Sequence, residues 1–415
     1  MTNNSAPFYG WRVVAAAFIV AVFGWGLGFY GPPVYLDTLV RTRGWSVATV
    51  SGAITVHFLI GAVIITNLPR LHRHFGLPLV TVAGAILLAL GVLGWATART
   101  PWHLYGATIL SGAGWPTLGA AAVNAIISPW FVRKRPAALS TAYNGASIGG
   151  VIFSPLWVAL IEQAGFVTAA AIIGGFMVLA IIIIAFTVLQ KTPDNLGQYP
   201  DGETPPEESL IHTLPAGAAP VGALSQDWAF LTLSFGMAVA LFAQIGLLAH
   251  LVSLLVPRLG VQGAGLAAGL STAAAIGGRQ CVGWFMPANA DRRVIASLSL
   301  FVQMLGCLCL LVAMSGPEFG MIIGVVMIGL GIGNATSLPP LIVQIEFSKG
   351  DTTRVVALIV AISQATYAFA PASFGFIRQS LSEQTVYLLA MSLQLVSIVA
   401  YMTGRRAYLR RIEGK

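Results

Sequence analysis

Charged side chains are scarce in this sequence. Only 9% of its 415 residues are Asp, Glu, Lys or Arg, whereas soluble domains, whose surfaces face water, have about 25%. Hydrophobic residues make up 57%, and they occur in long runs separated by short polar segments. This composition excludes an ordinary soluble fold and predicts an all-α membrane protein with most of its surface in lipid.

Cysteine and the common enzyme motifs are also nearly absent. The three cysteines, Cys281, Cys307 and Cys309, lie within apolar runs, and their spacing fits neither a metal site nor a disulfide. The sequence has no Walker A motif, no dinucleotide fingerprint, no H-E-x-x-H and no run like a potassium filter. These absences argue against an enzyme, an ATP-driven pump and a channel, and we expect no cofactor or metal.

Apolar runs of membrane-spanning length predict twelve helices, since a helix needs roughly 20 apolar residues to cross the hydrocarbon core. The first six are predicted at 11–38, 46–68, 78–98, 102–129, 136–162 and 167–190. The second six are predicted at 227–257, 263–286, 294–314, 318–346, 354–379 and 384–404. We therefore expect two pseudo-symmetric six-helix halves, residues 1–190 and 227–415. The polar segment 191–226 between them cannot bury enough apolar surface to fold alone and is expected to be a cytoplasmic linker.

Basic residues predict the orientation in the membrane. They are concentrated in alternate loops and in the tail from Arg405, and the loops on the other side hold few. Because Lys and Arg favour the cytoplasmic side, both termini are expected in the cytoplasm, with the chain in a bacterial inner membrane. The basic segments Arg70–His74 and Arg133–Arg135 recur at Asp291–Arg293 and Lys349–Arg354, which predicts an internal repeat. The net charge of +8 is therefore attributed to topology and not to nucleic-acid binding.

One cation is predicted inside the membrane. Arg279 lies in the eighth span, within Gly277-Gly278-Arg279-Gln280-Cys281. Because an unpaired charge in hydrocarbon is costly, an intramembrane arginine is a functional candidate, and its planar guanidinium suits a carboxylate. The acidic residues Asp37, Glu162 and Glu346 are predicted at helix ends, so an anionic ligand is the expected counter-charge. The alternatives are that Arg279 extends to the cytoplasmic interface or forms a purely structural pair.

Several polar residues within the apolar runs are candidates for the transport site. His57 and His250, in the second and seventh spans, could each relay a proton near neutral pH. The alternative is that each is a hydrogen-bonded packing residue. The other candidates for lining a cavity, with the first two foremost, are Gln364, Tyr30, Tyr367 and Asn144.

Proline and glycine predict where helices bend and where they touch. Gly31-Pro32-Pro33, Trp115-Pro116 and Pro339-Pro340 are expected to kink their helices. Gly145 and Gly149 form a small-xxx-small pair, which favours a close helix contact.

Five short motifs occur along the chain in an order that resembles a known family. They are Tyr9-Gly10-Trp11-Arg12-Val13-Val14, Gly44-Trp45-Ser46, Trp130-Phe131 with Arg133-Lys134-Arg135, Leu196-Gly197-Gln198-Tyr199-Pro200-Asp201-Gly202, and Leu248-Ala249-His250-Leu251-Val252. Over nearly its whole length the chain resembles the monocarboxylate-porter branch of the major facilitator superfamily, which includes bacterial monocarboxylate transporters and the oxalate:formate antiporter. The resemblance implies alternating access to a site between the halves at mid-membrane.

The resemblance also implies roles for particular residues. By position, Arg279 matches the arginine that binds the substrate carboxylate in this family. Gln364 falls where the oxalate transporter has a second cation, and one cation instead of two suits a monocarboxylate. Tyr30 falls near a lysine position of the animal members. Two departures from the family concern gating and coupling: the segment Leu71–Gly76 lacks the usual Asp-Arg pair, and Ala275 replaces the aspartate of the animal carriers.

Together these features predict a secondary transporter for a small organic anion, with a monocarboxylate favoured and proton coupling left open. We expect it to work in the lipid bilayer as a monomer. One alternative is an exporter of amphipathic or drug-like compounds, in which Arg279 is structural. The other is a transporter-like sensor that binds a ligand without moving it.

Overall fold

Helices make up nearly all of the part of the chain that the computed structural model describes, residues 7–203, 224–287, 290–347 and 352–412. Strands are absent from these ranges. The first helices are α1 (Gly10–Gly28), α2 (Gly31–Arg43), α3 (Val47–Phe75), α4 (Leu77–Thr97), α5 (Pro101–Gly114), α6 (Ala120–Ile127), α7 (Arg135–Ala164) and α8 (Phe166–Ile184). They are followed by α9 (Trp228–Phe285), α10 (Arg292–Ala313), α11 (Glu318–Glu346), α12 (Thr352–Tyr367), α13 (Ala370–Ser380) and α14 (Glu383–Ile412). The predicted all-α fold is confirmed.

Within these ranges, ten helical segments are individually long and apolar enough to cross a membrane. One of them, Trp228–Val282, has 55 residues, more than twice the length that a bilayer requires. Gly260 interrupts it with a φ of 66°, a left-handed conformation that favours glycine. The predicted span 102–129 is divided between α5, a 3-10 turn and α6, each too short to be counted alone. With these two regions taken into account, the structure agrees with the twelve predicted helices.

Two of the three predicted kinks coincide with helix breaks. α1 ends at Gly28 and α2 begins at Gly31, with the proline pair in the first turn of α2. Trp115-Pro116 lies in the 3-10 turn between α5 and α6. Pro339-Pro340, in contrast, lies inside α11, which continues unbroken through both prolines.

The chain forms two compact units, residues 1–35 with 56–212 and residues 36–55 with 213–415. In the first unit, α7 packs directly on the backbone of α1. A Cβ atom on Gly145 would collide with the carbonyl oxygen of Phe18, and one on Gly149 would lie 2.5 Å from the carbonyl oxygen of Val22. The small-xxx-small pair therefore makes the close helix contact that the sequence predicted.

The described start of the predicted linker, up to Glu203, is packed against the first unit and contains two 3-10 turns, Asp194–Leu196 and Pro200–Gly202. Most of the remaining linker, residues 204–223, lies outside the described residues, as does Lys349 in the predicted repeat.

Candidate functional site

Arg279 lies in the second half of α9, where this helix crosses α11 at very short range. A Cβ atom on Gly278 would collide with the carbonyl oxygen of Leu330, and one on Gly333 with that of Ala275. This close approach brings the main chain of α11 within reach of the arginine. The Nε–H of half-buried Arg279 donates to the carbonyl oxygen of Gly333 at 3.2 Å.

The contact with Gly333 fixes the guanidinium from one side. The same carbonyl oxygen also accepts a hydrogen bond from the Ser337 hydroxyl at 3.1 Å. Guanidinium is planar and carries five N–H donors, so a bond at Nε sets the plane in which the terminal nitrogens lie. The glycines at the crossing thus give Arg279 a defined orientation within a membrane-spanning segment.

His57, in the first unit, has hydrogen-bond partners at both ring nitrogens. Its Nε2 lies 3.0 Å from the carbonyl oxygen of Gly28. Because a carbonyl only accepts, Nε2 carries the proton and Nδ1 accepts from the Ser111 hydroxyl at 2.9 Å. The Ser111 oxygen also accepts from Trp95 Nε1 at 3.1 Å. These contacts favour the interpretation of His57 as a neutral packing residue.

His250, in the second unit, differs at one nitrogen. Its Nε2 donates to the carbonyl oxygen of Pro371 at 3.0 Å, while the fully buried Nδ1 has no hydrogen-bond partner among the described residues. The His250 carbonyl accepts from the Ser253 hydroxyl, whose oxygen in turn accepts from Arg378 at 2.6 Å. A protonated Nδ1 would therefore need an acceptor that this arrangement does not supply.

The start of α3 packs against α13 beside His250, within the second unit. The backbone N–H of Ala372 donates to the Thr55 hydroxyl at 3.0 Å. A Cβ atom on Gly375 would collide with the Ser51 hydroxyl and would lie 3.3 Å from Cε1 of His250. Glycine at position 375 thus permits the contact between these two helices.

The remaining candidate residues are distributed over both units. Tyr30 lies in the break between α1 and α2, with its ring centroid 5.1 Å from that of Phe29. Tyr367 ends α12 and packs against the apolar core of the second unit. Asn144 and Gln364 are half-buried on α7 and α12. The structure therefore places Tyr30, His57 and Asn144 in the first unit, and His250, Arg279, Gln364 and Tyr367 in the second.

Sequence reasoning missed a buried ion pair in the second unit. Arg293 and Glu346 pair through two hydrogen bonds, Nε to Oε1 at 2.6 Å and Nη2 to Oε2 at 2.7 Å. The arginine also donates to the Thr232 hydroxyl and to the carbonyl oxygen of Ala229. Glu346 was predicted at a helix end and Arg293 in a basic cytoplasmic segment, but only the fold shows that the ends of α9, α10 and α11 meet there.

Comparisons with known proteins agree with this fold. The Major Facilitator Superfamily model matches residues 14–371. MFS-type transporter 1 of Ophiocordyceps sp. (strain BCC 1869) is 31% identical over 196 residues, which are 45% of this chain and 42% of that protein. Monocarboxylate transporter 11 of Mus musculus is 27% identical over 173 residues, which are 40% of this chain and 37% of that protein. The chain thus spans less than half the length of these two curated relatives.

One solved structure shows how far the likeness in fold extends. The crystal structure of the nucleoside transporter NupG matches with a TM-score of 0.72 and covers 95% of this chain and 99% of that chain, at 13% identity. At this identity the match supports the fold alone.

Proposed function

Because this chain belongs to the Major Facilitator Superfamily, we propose that it carries a small organic anion, a monocarboxylate in first place, and that Arg279 binds the carboxylate. The chain is a multi-pass membrane transporter. Its placement in a bacterial inner membrane with both termini in the cytoplasm is part of the proposal and rests on the distribution of basic residues.

The observation that carries the proposal is the main-chain hydrogen bond that orients Arg279. A guanidinium in a membrane-spanning segment marks a functional site by default. Its fork geometry matches the two oxygens of a carboxylate. The bond from Nε to Gly333 reduces the freedom of the side chain before any ligand arrives. A relative named as a monocarboxylate transporter supports the same substrate class.

For a proton-coupled cycle, we assign the relay to His250 in preference to His57. Both nitrogens of His57 have partners, so protonation would require the Ser111 hydroxyl to turn and accept from Nδ1 instead of donating to it. The Nδ1 of His250 has no hydrogen-bond partner among the described residues, so it can take a proton without losing a hydrogen bond, and only the new N–H then needs an acceptor. Uptake measured with an imposed pH gradient tests this assignment, because His250→Gln should abolish the stimulation by the gradient and His57→Gln should leave it.

The first test is thermal unfolding of the purified protein with formate, acetate, lactate, pyruvate and oxalate. A ligand at one hundred times its Kd stabilises the folded state by about 2.7 kcal/mol. We expect a monocarboxylate to raise the Tm of the wild type and of Arg258→Gln, but not that of Arg279→Gln. Arg258 is a matched control because it is also on α9 and also donates to a backbone carbonyl oxygen, that of Gly316.

The outcomes separate the alternatives. If none of these acids shifts the wild type, or Arg279→Gln responds as the wild type does, the organic-anion proposal fails and the exporter alternative is favoured. Uptake of the stabilising acid into proteoliposomes then distinguishes a transporter from a sensor that binds without transport.

A further inference from the structure

Three of the sequence motifs, far apart in the chain, meet at one place in the first unit. They are the N-terminal Tyr9-Gly10-Trp11, the loop Trp130–Arg135 between α6 and α7, and the linker segment Gln198–Glu203. We call the segment Trp130–Arg135 the basic loop and the segment Gln198–Glu203 the clasp. The contacts among these three segments show that the clasp packs as part of the first unit.

The Asp201 carboxylate binds the main chain of the basic loop. Its Oδ2 accepts from the backbone N–H groups of Val132 at 3.2 Å and Arg133 at 2.7 Å, and its Oδ1 accepts from that of Lys134 at 3.0 Å. The backbone N–H of Asp201 in turn donates to the carbonyl oxygen of Trp130 at 2.9 Å. Successive backbone N–H groups aimed at one point form an anion-binding concavity, and here a carboxylate of the same chain occupies it.

The conformation of Asp201 indicates that this contact is specified. The residue is buried and has a φ of 63°, the left-handed region that favours glycine and, after it, Asn and Asp. No other non-glycine residue in the described part of the chain has a positive φ. A backbone of higher energy is thus maintained where it directs the carboxylate to the basic loop.

Side chains of the basic loop complete the attachment. Glu203 pairs with Arg133 at 2.5 Å and with Lys134 at 3.2 Å. Arg135 turns inward, where it donates to the carbonyl oxygens of Phe131 at 2.8 Å and Ser128 at 3.0 Å. The basic residues that predicted the membrane orientation therefore also hold this contact together.

The clasp also holds the N-terminal segment. The Gln198 side chain accepts from the backbone N–H of Tyr9 at 2.9 Å and donates to the carbonyl oxygen of Pro7 at 3.4 Å. The Tyr9 ring is tilted against Trp130 with ring centroids 5.6 Å apart, and the ring centroid of Phe8 lies 6.2 Å from that of the same indole. One end of the clasp thus binds the N-terminal segment, and the other end binds the basic loop.

We propose that the basic loop is a receptor for a carboxylate, that Asp201 is its occupant, and that this attachment makes the N-terminal segment, the basic loop and the clasp move as one body. In a transporter whose halves move, this attachment fixes the point at which the linker leaves the first unit. The inference does not depend on the identity of the transported compound.

Hydrogen exchange of the backbone amides, followed by mass spectrometry at pH 7, tests the proposal. Asp201→Asn keeps the shape and the tolerance of a positive φ but removes the charge, and Asp201→Gly removes the carboxylate without backbone strain. We expect either change to speed exchange of the amides at 132–134 about 2- to 30-fold, and to speed exchange at Tyr9 as well. Asp194→Asn, the same change at an exposed site seven positions earlier, should leave both segments unchanged.

Faster exchange in both segments supports the proposal. Faster exchange in the basic loop alone would mean that Asp201 is a local cap and would overturn the claim of one body. No change in either segment would overturn the receptor itself.

A distance measurement provides a second, independent readout. Spin labels at Asn195→Cys and Thr141→Cys, both exposed positions of the first unit, should give one narrow distance distribution when the native cysteines are replaced. We expect Asp201→Asn to broaden that distribution. An unchanged width would contradict the proposal.

Discussion

The first unit holds the basic loop in place by one kind of contact, and the second unit holds the basic segment Asp291–Arg293 in place by another. In the first unit, the linker carboxylate Asp201 binds backbone N–H groups, and the accompanying pair of Arg133 and Glu203 is 71% and 46% exposed. In the second unit, Arg293 and Glu346 form a two-bond ion pair that is 1% and 5% exposed. The attachment in the first unit thus depends on backbone N–H groups near water, whereas the attachment in the second unit depends on two charged side chains that are buried.

The difference teaches how burial changes the effect of similar residue types. Removing one partner of a buried pair leaves an uncompensated charge and costs about 3–5 kcal/mol, whereas an exposed pair contributes about 0–1 kcal/mol. A carboxylate on backbone N–H groups lies between these cases, at about 0.5–2 kcal/mol. Removal of one side chain of the buried pair in the second unit should therefore lower the free energy of unfolding strongly. Removal of one group from the attachment in the first unit should lower it by less.

The largest effect is expected from Glu346→Gln, which leaves Arg293 charged and buried. We expect the free energy of unfolding to fall by about 3–5 kcal/mol, measured by thermal or denaturant unfolding of the purified protein. The double variant Arg293→Met with Glu346→Leu should recover much of this loss, because it removes both charges together. A loss below about 1 kcal/mol for the single variant would show that the pair is hydrated and would remove the contrast between the units.

Asp201→Asn should have the next largest effect on stability. The amide can still accept one hydrogen bond, so the free energy of unfolding should fall by about 0.5–2 kcal/mol. The same unfolding assay measures this change, with Asp194→Asn as the control. A loss equal to that of Glu346→Gln would mean that the attachment at the main chain is as critical as the buried pair.

Acid should release the attachment in the first unit of the wild type. Burial raises the pKa of the Asp201 carboxyl. The backbone N–H groups of Arg133, Lys134 and Val132 and the charge of Lys134 together lower this pKa by more than burial raises it, so the net pKa lies below its ordinary value of 3.8. A carboxyl with a lowered pKa contributes full stability above its ordinary value and loses that stability as the pH falls through the folded value. Hydrogen exchange at 132–134, corrected for the intrinsic rate, should therefore rise only below pH 3.8. Asp201→Asn should abolish this acid-dependent step, and a step at higher pH would point to another group.

Glu203→Gln should have the smallest effect. Its partners Arg133 and Lys134 are solvent-exposed, so we expect a change of about 0–1 kcal/mol that decreases with added salt. Unfolding measured at low and high ionic strength checks this. An effect independent of salt would contradict the assignment of this pair as an exposed ion pair.

Sequence reasoning predicted most of the fold and only part of the site. The spans, the bend at Gly31-Pro32-Pro33 and the close contact at Gly145 follow from local composition and match the structure. Arg279 was identified because a charge inside an apolar run is conspicuous. Its partner Gly333, 54 positions away, was not, because a backbone carbonyl leaves no mark in the sequence.

The two histidines show the same limit more sharply. In the sequence, His57 and His250 are equivalent polar residues in apolar runs. In the structure, Ser111 is hydrogen-bonded to His57 from 54 positions away, whereas one ring nitrogen of His250 has no partner in the described part of the chain. Which nitrogen is available to a proton depends on neighbours that the spacing of residues does not reveal.

The sequence by itself determined that this chain spans a membrane as twelve helices, because transfer of an apolar run into lipid depends on that run alone. Only the tertiary structure decided that Asp201 joins a loop 68 positions away and that Arg293 joins Glu346 at a separation of 53. These pairings form because polar groups taken from water need partners, and the packing of helices determines which partners are within reach.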